Sequence, residues 1–228
     1  MAHQHYRTKG VVLSKKNSGE ADQIFVLYTQ DFGKIEVVGR AIRKITSKLR
    51  ASINIFYFVE IEFIQGKNRK ILTDAILLNK LFVVAQISQI IEKLTVNEAK
   101  DEKIWSLIFL VIEKLLVSDT NTNELVFHYF AWNLFKLLGY SPELYSCSIC
   151  LRKLLPEIFF LSPQHGGVVC WQCCNFPATE IMVDSVKMIR FFIKEPIEKV
   201  ERLSIWGDNL KNLNKAFEAY FNFLADPA

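Results

Sequence analysis

The fold of the N-terminal part is decided by the stretch QIFVLYTQDFGKIEVV, residues 23–38. Residues 23–28 form a run rich in β-branched and aromatic side chains, and residues 34–38 alternate between charged and apolar ones. A turn-forming segment that ends in Gly33 separates the two runs. Short runs bounded by turn residues are typical of β-strands with a buried face. The stretch therefore predicts two strands separated by a turn.

Further strand-like runs lie on both sides of this stretch, at residues 10–13, 53–64 and 70–77, and a turn signal at residues 66–69 separates the last two. Five short strands within about 75 residues predict a small β-barrel. From about residue 75 the apolar side chains recur at helical spacings instead. The sequence thus predicts an α+β protein, with a barrel over residues 1–78 and a helical domain over residues 79–228.

The helical part contains several apolar stripes. The first includes Ile76, Leu77, Leu81, Val84 and Ile91, and the next two cover residues 104–115 and 125–138. Gly139 follows the third stripe and is predicted to cap its helix. A last helical region is predicted over residues 184–224, with interruptions near Pro196 and Gly207.

All five cysteines lie between residues 147 and 174, and four of them form two Cys-x-x-Cys pairs. These are Cys147 with Cys150, and Cys170 with Cys173, separated by nineteen residues. Two such pairs at this separation are typical of a closed, four-thiolate structural zinc site. The sequence predicts one structural zinc ion in a ribbon inserted into the helical domain at about residues 144–178.

Other interpretations of the cysteines stay open at this stage. The thiols can form a buried cluster without metal, or two disulfides. Cys174 can replace Cys173, although a Cys-x-x-x-Cys pair is less common in this setting, and His165 is a further candidate ligand. Clustered cysteines in a reducing compartment more often bind metal than form disulfides.

The basic residues are distributed unevenly along the chain. Residues 1–80 carry 14 Lys and Arg against 7 Asp and Glu, a balance of +7, whereas residues 81–228 carry 14 against 17, a balance of −3. A basic N-terminal part beside a mildly acidic remainder indicates a polyanionic partner.

One segment concentrates the positive charge, because no acidic residue occurs between Glu36 and Glu60. We call residues 40–50 the basic loop; it carries Arg40, Arg43, Lys44, Lys48 and Arg50. Such clusters attract phosphate groups and release counterions on binding. The alternative is a solvated loop without a partner.

Other residues near the basic loop are weaker candidates for the same role. Lys34 is a further candidate for a DNA contact. Aromatic side chains nearby can stack on bases, although alternating apolar residues in strands more often face a core. They are Phe25, Tyr28, Phe56, Tyr57 and Phe58.

The sequence offers no motif for catalysis. It has no Walker loop, no Gly-x-Ser-x-Gly and no Gly-x-Gly-x-x-Gly. Glu20 and Asp22 lie close together, but nothing beside them completes a catalytic site, and the segment 19–22 is interpreted as a turn before a strand. We expect a non-enzymatic protein, without a membrane span and without a secretion signal, in the cytoplasm.

In the order and spacing of several short motifs, the chain resembles the RecO family of bacterial DNA repair proteins, in its zinc-bearing branch. The motifs are Val11-Val-Leu13 with Gly19-Glu-Ala-Asp22, Thr29-Gln-Asp-Phe-Gly33-Lys34, Arg40-Ala-Ile-Arg43-Lys44 with Ser47-Lys48-Leu-Arg50, Phe135-Lys-Leu-Leu-Gly139-Tyr140-Ser-Pro142, and the cysteine pairs with Phe159, Ser162 and Gly166-Gly167. The chain departs from the family at Ala41, where Gly is usual, and at Asn54-Ile55, which replaces a usual Pro.

This resemblance implies an oligonucleotide-binding barrel (OB-fold), a helical domain and an inserted zinc ribbon. It also implies a recombination mediator that binds single- and double-stranded DNA, anneals complementary strands and assists RecA loading onto DNA coated by single-strand-binding protein. The implied partners are the RecR protein and the acidic C-terminal tail of single-strand-binding protein, at the bacterial nucleoid. Two other functions stay open from the residues alone: a zinc-ribbon scaffold for protein interactions, and an RNA-binding barrel protein.

Overall fold

A computed structural model describes residues 4–81, 85–116, 120–155, 158–205 and 207–226. The chain forms two compact units, Met1–Ile112 and Glu113–Ala228. Val84, which the sequence places in the first apolar stripe, lies outside the described residues. Among the described residues, no helix combines the length and the apolar character that crossing a bilayer requires.

The first unit contains a closed five-stranded barrel. Its strands are β1 (His5–Ser18), β2 (Asp22–Thr29), β3 (Gly33–Gly39), β4 (Tyr57–Gln65) and β5 (Lys70–Lys80). They follow one another around the barrel in the order β1-β2-β3-β5-β4, and β4 pairs with β1. All pairs are antiparallel except β3 with β5, which is a short parallel pair. This topology is that of an OB-fold and confirms the predicted barrel.

Alternation along the strands builds the barrel core. Phe25 and Leu27 of β2 point inward with Val37 of β3, and all three are fully buried. Ile61 and Phe63 of β4 complete the same core. Because side chains of a strand alternate between its two faces, the neighbours of these residues point to the outer face of the barrel.

The sequence prediction is wrong about where the strands end. Ile76 and Leu77, which have helical spacing to Leu81, belong to β5 and pair with Glu60 and Val59 of β4. A short helical segment has only marginal stability without tertiary packing. The backbone hydrogen bonds between β5 and β4 therefore determine the conformation here, although the apolar residues have helical spacing. The first helix, α1 (Ala85–Leu94), begins only after the strand.

Helical segments cover part of the outer face of the barrel. The ring of Tyr28 on β2 is buried, and burial raises its pKa to about 12. Helix α2 (Glu102–Leu115) covers Phe58 on β4, with the rings of Trp105 and Phe109 at centroid distances of 6.4 and 6.1 Å. The segment after α1 reaches Gly33, where an added Cβ would lie only 2.1 Å from the carbonyl oxygen of Ala99.

The second unit consists of helices and a small three-stranded sheet. The helices are α3 (Thr120–Leu137), α4 (Val183–Lys194), α5 (Ile197–Val200) and α6 (Gly207–Ala225). The sheet lies between α3 and α4 in the chain and consists of β6 (Phe159–Ser162), β7 (Gly167–Cys170) and β8 (Thr179–Ile181), in the order β7-β6-β8. The predicted cap at Gly139 is confirmed, since its φ of 86° is left-handed. The interruptions at Pro196 and before Gly207 are also confirmed.

Aromatic residues form the core between α3, α4 and α6. Phe135 of α3 is fully buried and contacts Trp132, Phe217 and Tyr220 at centroid distances of 5.5, 6.1 and 5.6 Å. The side-chain amide of Asn133 on α3 donates a 2.8 Å hydrogen bond to the carbonyl oxygen of Phe192 on α4. The last helices α4 and α6 therefore pack on α3 with their apolar faces.

We expect one buried side chain of this core, His128, to make the stability of the second unit depend on pH. His128 is fully buried and shares a 2.8 Å hydrogen bond between its Nε2 and Asn214 Oδ1. Burial opposes the charged form and lowers the pKa of His128 from 6.5 to about 4. The unfolded chain therefore binds more protons than the folded one between these two values. As the pH falls through this range, the free energy of unfolding should decrease by up to about 3 kcal/mol.

The change that tests this prediction is His128→Phe, which keeps an aromatic ring but removes the titration. Melting temperatures of the wild type and the variant should be measured from pH 7.5 to pH 4. The wild type should lose stability more steeply than the variant below about pH 6.5. Parallel curves for the two proteins would show that His128 does not contribute to the acid sensitivity.

Candidate metal centre and nucleic-acid interface

Two tight turns position the four predicted zinc ligands. In the first turn, the amide of Cys147 donates to the carbonyl oxygen of Arg152 at 2.9 Å, and the amide of Leu151 donates to the carbonyl oxygen of Cys147 at 2.9 Å. In the second turn, the amide of Cys173 donates to the carbonyl oxygen of Cys170 at 3.1 Å. In each turn the two sulfur atoms point to the same side, so that both can bind one metal ion.

The hairpin of β6 and β7 holds the two turns together. Gly166 ends the connection between these strands with a left-handed φ of 72°. Gly167 allows close approach, since an added Cβ would lie 2.3 Å from the carbonyl oxygen of Glu143. The amide of Ser148 donates to the carbonyl oxygen of Val168 at 2.9 Å. The tight turn that the sequence predicts at Gly166-Gly167 is confirmed, and it brings the first cysteine pair next to the second.

The sulfur atoms of Cys147, Cys150, Cys170 and Cys173 lie within 4.8 Å of one another, and we call them the cysteine cluster. The Sγ atoms of Cys150 and Cys170 are 3.9 Å apart. Four sulfurs bound tetrahedrally at about 2.3 Å from a zinc ion lie about 3.8 Å from one another. The cluster can therefore hold one metal ion, and its donor set fits zinc.

The charges around the cluster favour thiolate formation at one cysteine and oppose it at another. The side chain of Arg152 donates a 3.4 Å hydrogen bond from Nε to the Sγ of Cys150 and lowers the pKa of that thiol to about 6. A hydrogen bond with Cys170 raises the pKa of Cys173 to about 12. Four thiolates at this spacing repel one another, and a bound divalent cation would remove that repulsion.

The other candidate ligands lie outside the cluster. All five cysteines are free thiols, so the alternative of two disulfides is wrong. Cys174 directs its Sγ to the carbonyl oxygen of Phe176 at 3.6 Å. The ring of His165 stacks on Phe176 at 4.5 Å, and its Nδ1 lies 2.8 Å from Ser162 Oγ. Neither residue belongs to the group that can hold a metal.

The basic loop connects β3 to β4 and is fastened to the turn before β2. The amide of Ala41 donates a 2.7 Å hydrogen bond to Asp22 Oδ1, and the amide of Arg43 donates to the carbonyl oxygen of Ala21 at 2.9 Å. The guanidinium of Arg43 also donates to the carbonyl oxygen of Glu20 at 2.9 Å. The sequence predicts a turn at Gly19-Glu-Ala-Asp22. In the structure this turn also accepts the hydrogen bonds that hold the basic loop in place.

Most of the predicted contact residues point into solvent. Arg40, Lys44, Lys48 and Arg50 are exposed, and among the described residues none of them has an ion pair or a side-chain hydrogen bond. Arg43 is exposed as well, but part of its hydrogen-bonding capacity is used to anchor the loop. The structure thus brings five cations to one loop and leaves four of them available to a ligand.

The prediction for Lys34 needs correction. Its side chain is only 8% exposed, and its ammonium donates to the backbone carbonyls of Glu92, at 2.5 Å, and Thr95. These carbonyls lie at the C-terminal end of α1, where a cation satisfies unpaired acceptors and interacts favourably with the helix dipole. Burial lowers the pKa of Lys34. A long side chain can bury its charge when backbone carbonyls replace water, and this arrangement keeps Lys34 from reaching DNA.

The aromatic side chains near the loop serve mainly in packing. Phe25 lies in the barrel core, Tyr28 is buried on the outer face of β2, and Phe58 lies beneath α2. Tyr57 is half-buried, with the ammonium of Lys80 5.6 Å from its ring centroid. Base stacking on Phe25, Tyr28 or Phe58 is therefore excluded in this structure, which confirms that these rings are packing residues.

Comparison with known proteins matches this architecture along the whole chain. The family model described as Recombination protein O N terminal matches residues 1–80, which contain the barrel. The model described as Recombination protein O C terminal matches residues 78–226, which contain the helices and the cysteine cluster. The chain belongs to the RecO family.

Relatives within the RecO family cover almost the full chain. A protein of Dehalococcoides mccartyi named DNA repair protein RecO is 28% identical over 97% of this chain and 91% of its own. Proteins with the same name from Thermoanaerobacter sp. and Desulfitobacterium hafniense are each 26% identical, over 94% and 87% of this chain and 90% and 77% of their own.

One backbone conformation in the basic loop is unusual. Ala41, at the position where the resemblance to the RecO family implies Gly, has a φ of 51°, in the left-handed region. This region favours Gly because a Cβ clashes there with the backbone. The hydrogen bond from the Ala41 amide to Asp22 holds the strained conformation, so the loop keeps its shape despite the substitution.

Proposed function

We propose that this protein is a DNA-binding recombination mediator of DNA repair, and that the basic loop is its main contact to single- and double-stranded DNA. The observation that carries the proposal is the group of four exposed cations in the loop, which no acid neutralises among the described residues. Arg forks across two phosphate oxygens, whereas Lys acts as a point charge. Phe25, Tyr28 and Phe58 are buried and do not offer their faces to bases, so in this proposal the contact recognises the phosphate backbone and not the base sequence.

The remaining parts of the proposal rest on family membership. The protein would anneal complementary strands and assist RecA loading onto DNA coated by single-strand-binding protein, without a chemical step of its own. Its protein partners would be RecR and the acidic tail of single-strand-binding protein, in the cytoplasm at the nucleoid. Relatives with the same domains are named DNA repair proteins, which supports this assignment.

We also propose that the cysteine cluster binds one structural zinc ion. Four thiolates close the tetrahedral shell, so no position is left for water or substrate. The ion would fix the two turns on the β6–β7 hairpin and would take no part in DNA chemistry. The fit of the sulfur spacing to zinc supports this proposal.

The salt dependence of DNA binding tests the proposed function. The variant carries Arg40→Ala, Lys44→Ala and Lys48→Ala, and Arg43 is kept because it anchors the loop. Log affinity should fall with log salt by about 0.9 per phosphate contact on duplex and about 0.7 on single strands. The triple variant should therefore bind unrelated DNA sequences more weakly to about the same extent, and its salt slope should be smaller by about 2.7 on duplex and about 2.1 on single strands.

A control with the same loss of charge separates a specific contact from the effect of net charge. It carries Lys187→Ala, Lys199→Ala and Lys211→Ala, whose side chains each form an ion pair within or beside their own helix. This control should keep most of the salt slope of the wild type. Wild-type protein that binds neither DNA form with a salt dependence would overturn the proposal, and binding of RNA in preference to DNA would favour an RNA-binding protein instead.

A further inference from the structure

One cationic side chain bridges the two turns of the cysteine cluster. The Nε of Arg152 donates a 3.4 Å hydrogen bond to the Sγ of Cys150 in the first turn. A terminal nitrogen of the same guanidinium donates a 2.5 Å hydrogen bond to Gln172 Oε1 in the second turn, between Cys170 and Cys173. Because the guanidinium is a rigid fork, Arg152 connects a candidate metal ligand of one turn to the segment that carries two ligands in the other.

The cluster has a buried side and an exposed side. Cys147 is fully buried, whereas the other three cysteines of the cluster are half-buried. On the exposed side lies a surface groove of about 190 Å³, and its lining includes Arg152, Lys153, Cys170 and Gln172. None of the described residues that line this groove is acidic. The guanidinium therefore lies on the side of the cluster that solvent can reach.

Loading with zinc would make the cluster more negative. Four thiolates around one divalent ion leave two excess negative charges. The remaining thiol protons are released when the metal binds, so the cluster gains negative charge even where Cys150 is already a thiolate. A cation beside the sulfur atoms therefore stabilises the metal-bound form more than the metal-free form. Groups that hold the ligands of a metal site typically change its affinity by about 10- to 100-fold.

Two other groups near the cluster differ from Arg152 in charge or in contact. The backbone amide of Cys170 donates a 3.4 Å hydrogen bond to the Sγ of Cys147, but it carries no net charge. Lys153 is exposed and lines the same groove, but among the described residues its side chain has no hydrogen bond or ion pair. Arg152 combines a positive charge with a direct hydrogen bond to a candidate ligand, and hydrogen bonds from charged donors are the stronger ones.

Building on the proposed zinc site, we propose that Arg152 is a positioning residue of that site and sets its affinity for the metal. Through Cys150 it neutralises part of the charge of the metal–thiolate group, and through Gln172 it holds the first turn against the second. The contact retains the ion in the ribbon and involves no nucleic acid.

The test is Arg152→Gln in the full, zinc-loaded chain, with the zinc dissociation constant measured by competition with a chelator. At about 0.01 M salt, the constant should increase by about 10-fold or more. At about 1 M salt the screening length falls from about 30 Å to about 3 Å, so the difference between variant and wild type should shrink. A purely structural role would give the same loss at both salt concentrations, and that result would overturn the proposal.

Three further variants make the result specific. Arg152→Lys keeps the charge without the fork and should recover part of the affinity, whereas Gln172→Ala removes only the second partner and should weaken binding less than Arg152→Gln. Lys153→Gln is the matched control, because it removes the same charge from the next residue without touching a sulfur atom, and it should bind zinc nearly like the wild type.

The absorption of cobalt(II) in the same site shows whether all four thiolates remain ligands in each variant. If the wild type binds zinc but Arg152→Gln binds it equally well, or no more weakly than Lys153→Gln, the role of Arg152 is refuted while the zinc site stands. If the wild type binds no zinc, the proposed site itself fails.

Discussion

Replacing Cys147 by Ser should release one equivalent of metal and lower the melting temperature by about 10 °C or more. Structural zinc contributes an apparent free energy on the order of 10–16 kcal/mol in finger peptides. Contacts between the helices and the segment that leads into the ribbon do not depend on the metal, so they limit this loss. The guanidinium of Arg190 on α4 donates to the carbonyl oxygen of Leu144, and the hydroxyl of Tyr220 on α6 donates to that of Tyr140 at 3.0 Å. A loss of a few kcal/mol is expected to remain, and a unit of the size of Glu113–Ala228 loses about 4 °C in melting temperature for each kcal/mol.

Cys174→Ser is the matched control, because Cys174 is the one cysteine whose sulfur lies outside the cluster. It should keep the metal and the melting temperature of the wild type. The measurements are elemental analysis of natively purified protein and thermal unfolding of the three proteins. Wild-type protein without metal would refute the structural zinc site, and so would a Cys147→Ser variant that melts like the wild type.

Phe135→Ala should destabilise the second unit by about 3–5 kcal/mol, because it removes a buried ring and leaves a cavity that the neighbouring rings cannot fill completely. Phe135 is fully buried against Trp132, Phe217 and Tyr220. Leu137→Ala on the same helix is the control, since the Leu137 side chain is 37% exposed and its truncation should cost much less.

Denaturant unfolding of the two variants, followed by helical circular dichroism, measures this difference. The midpoint should decrease strongly for Phe135→Ala and slightly for Leu137→Ala, with similar slopes. Equal shifts for the two variants would mean that the aromatic core between α3 and α6 does not dominate the stability of this unit.

The sequence predicts the parts of the site that depend on local spacing. The two Cys-x-x-Cys pairs and Gly166-Gly167 identify the ligands, because a pair of thiolates on one turn is a property of four consecutive residues. The strands of the barrel follow from alternation, but several of their ends differ. β1 extends beyond residues 10–13 on both sides, β4 begins at Tyr57 and not at residue 53, and β5 continues to Lys80. At the end of β5 the partner strand β4 supplies backbone hydrogen bonds, which a local pattern in the sequence does not reveal.

The parts that the sequence could not predict depend on contacts between distant segments. In the sequence, Lys34 cannot be distinguished from other cations. In the fold, carbonyl oxygens at the end of α1, about sixty residues further along the chain, bind its ammonium. The anchoring of the loop by Asp22 follows from barrel closure. The pattern of charge in the sequence indicates a polyanionic ligand, but it does not tell which cations already have a protein partner.

The place of the ribbon in the chain has a consequence for the entropy of the second unit. The ribbon occupies the connection between the end of α3 at Leu137 and the start of α4 at Val183, and these helices are joined directly by the hydrogen bond from Asn133 to Phe192. The cost of closing a flexible connection grows only with the logarithm of its length, by about 0.6 kcal/mol for each doubling. An unstructured connection of this length therefore adds little to the cost of packing α3 on α4. The helical body can tolerate large changes in the length and order of the segment it carries, so gain or loss of a metal-binding insertion at this point is compatible with an unchanged helical scaffold.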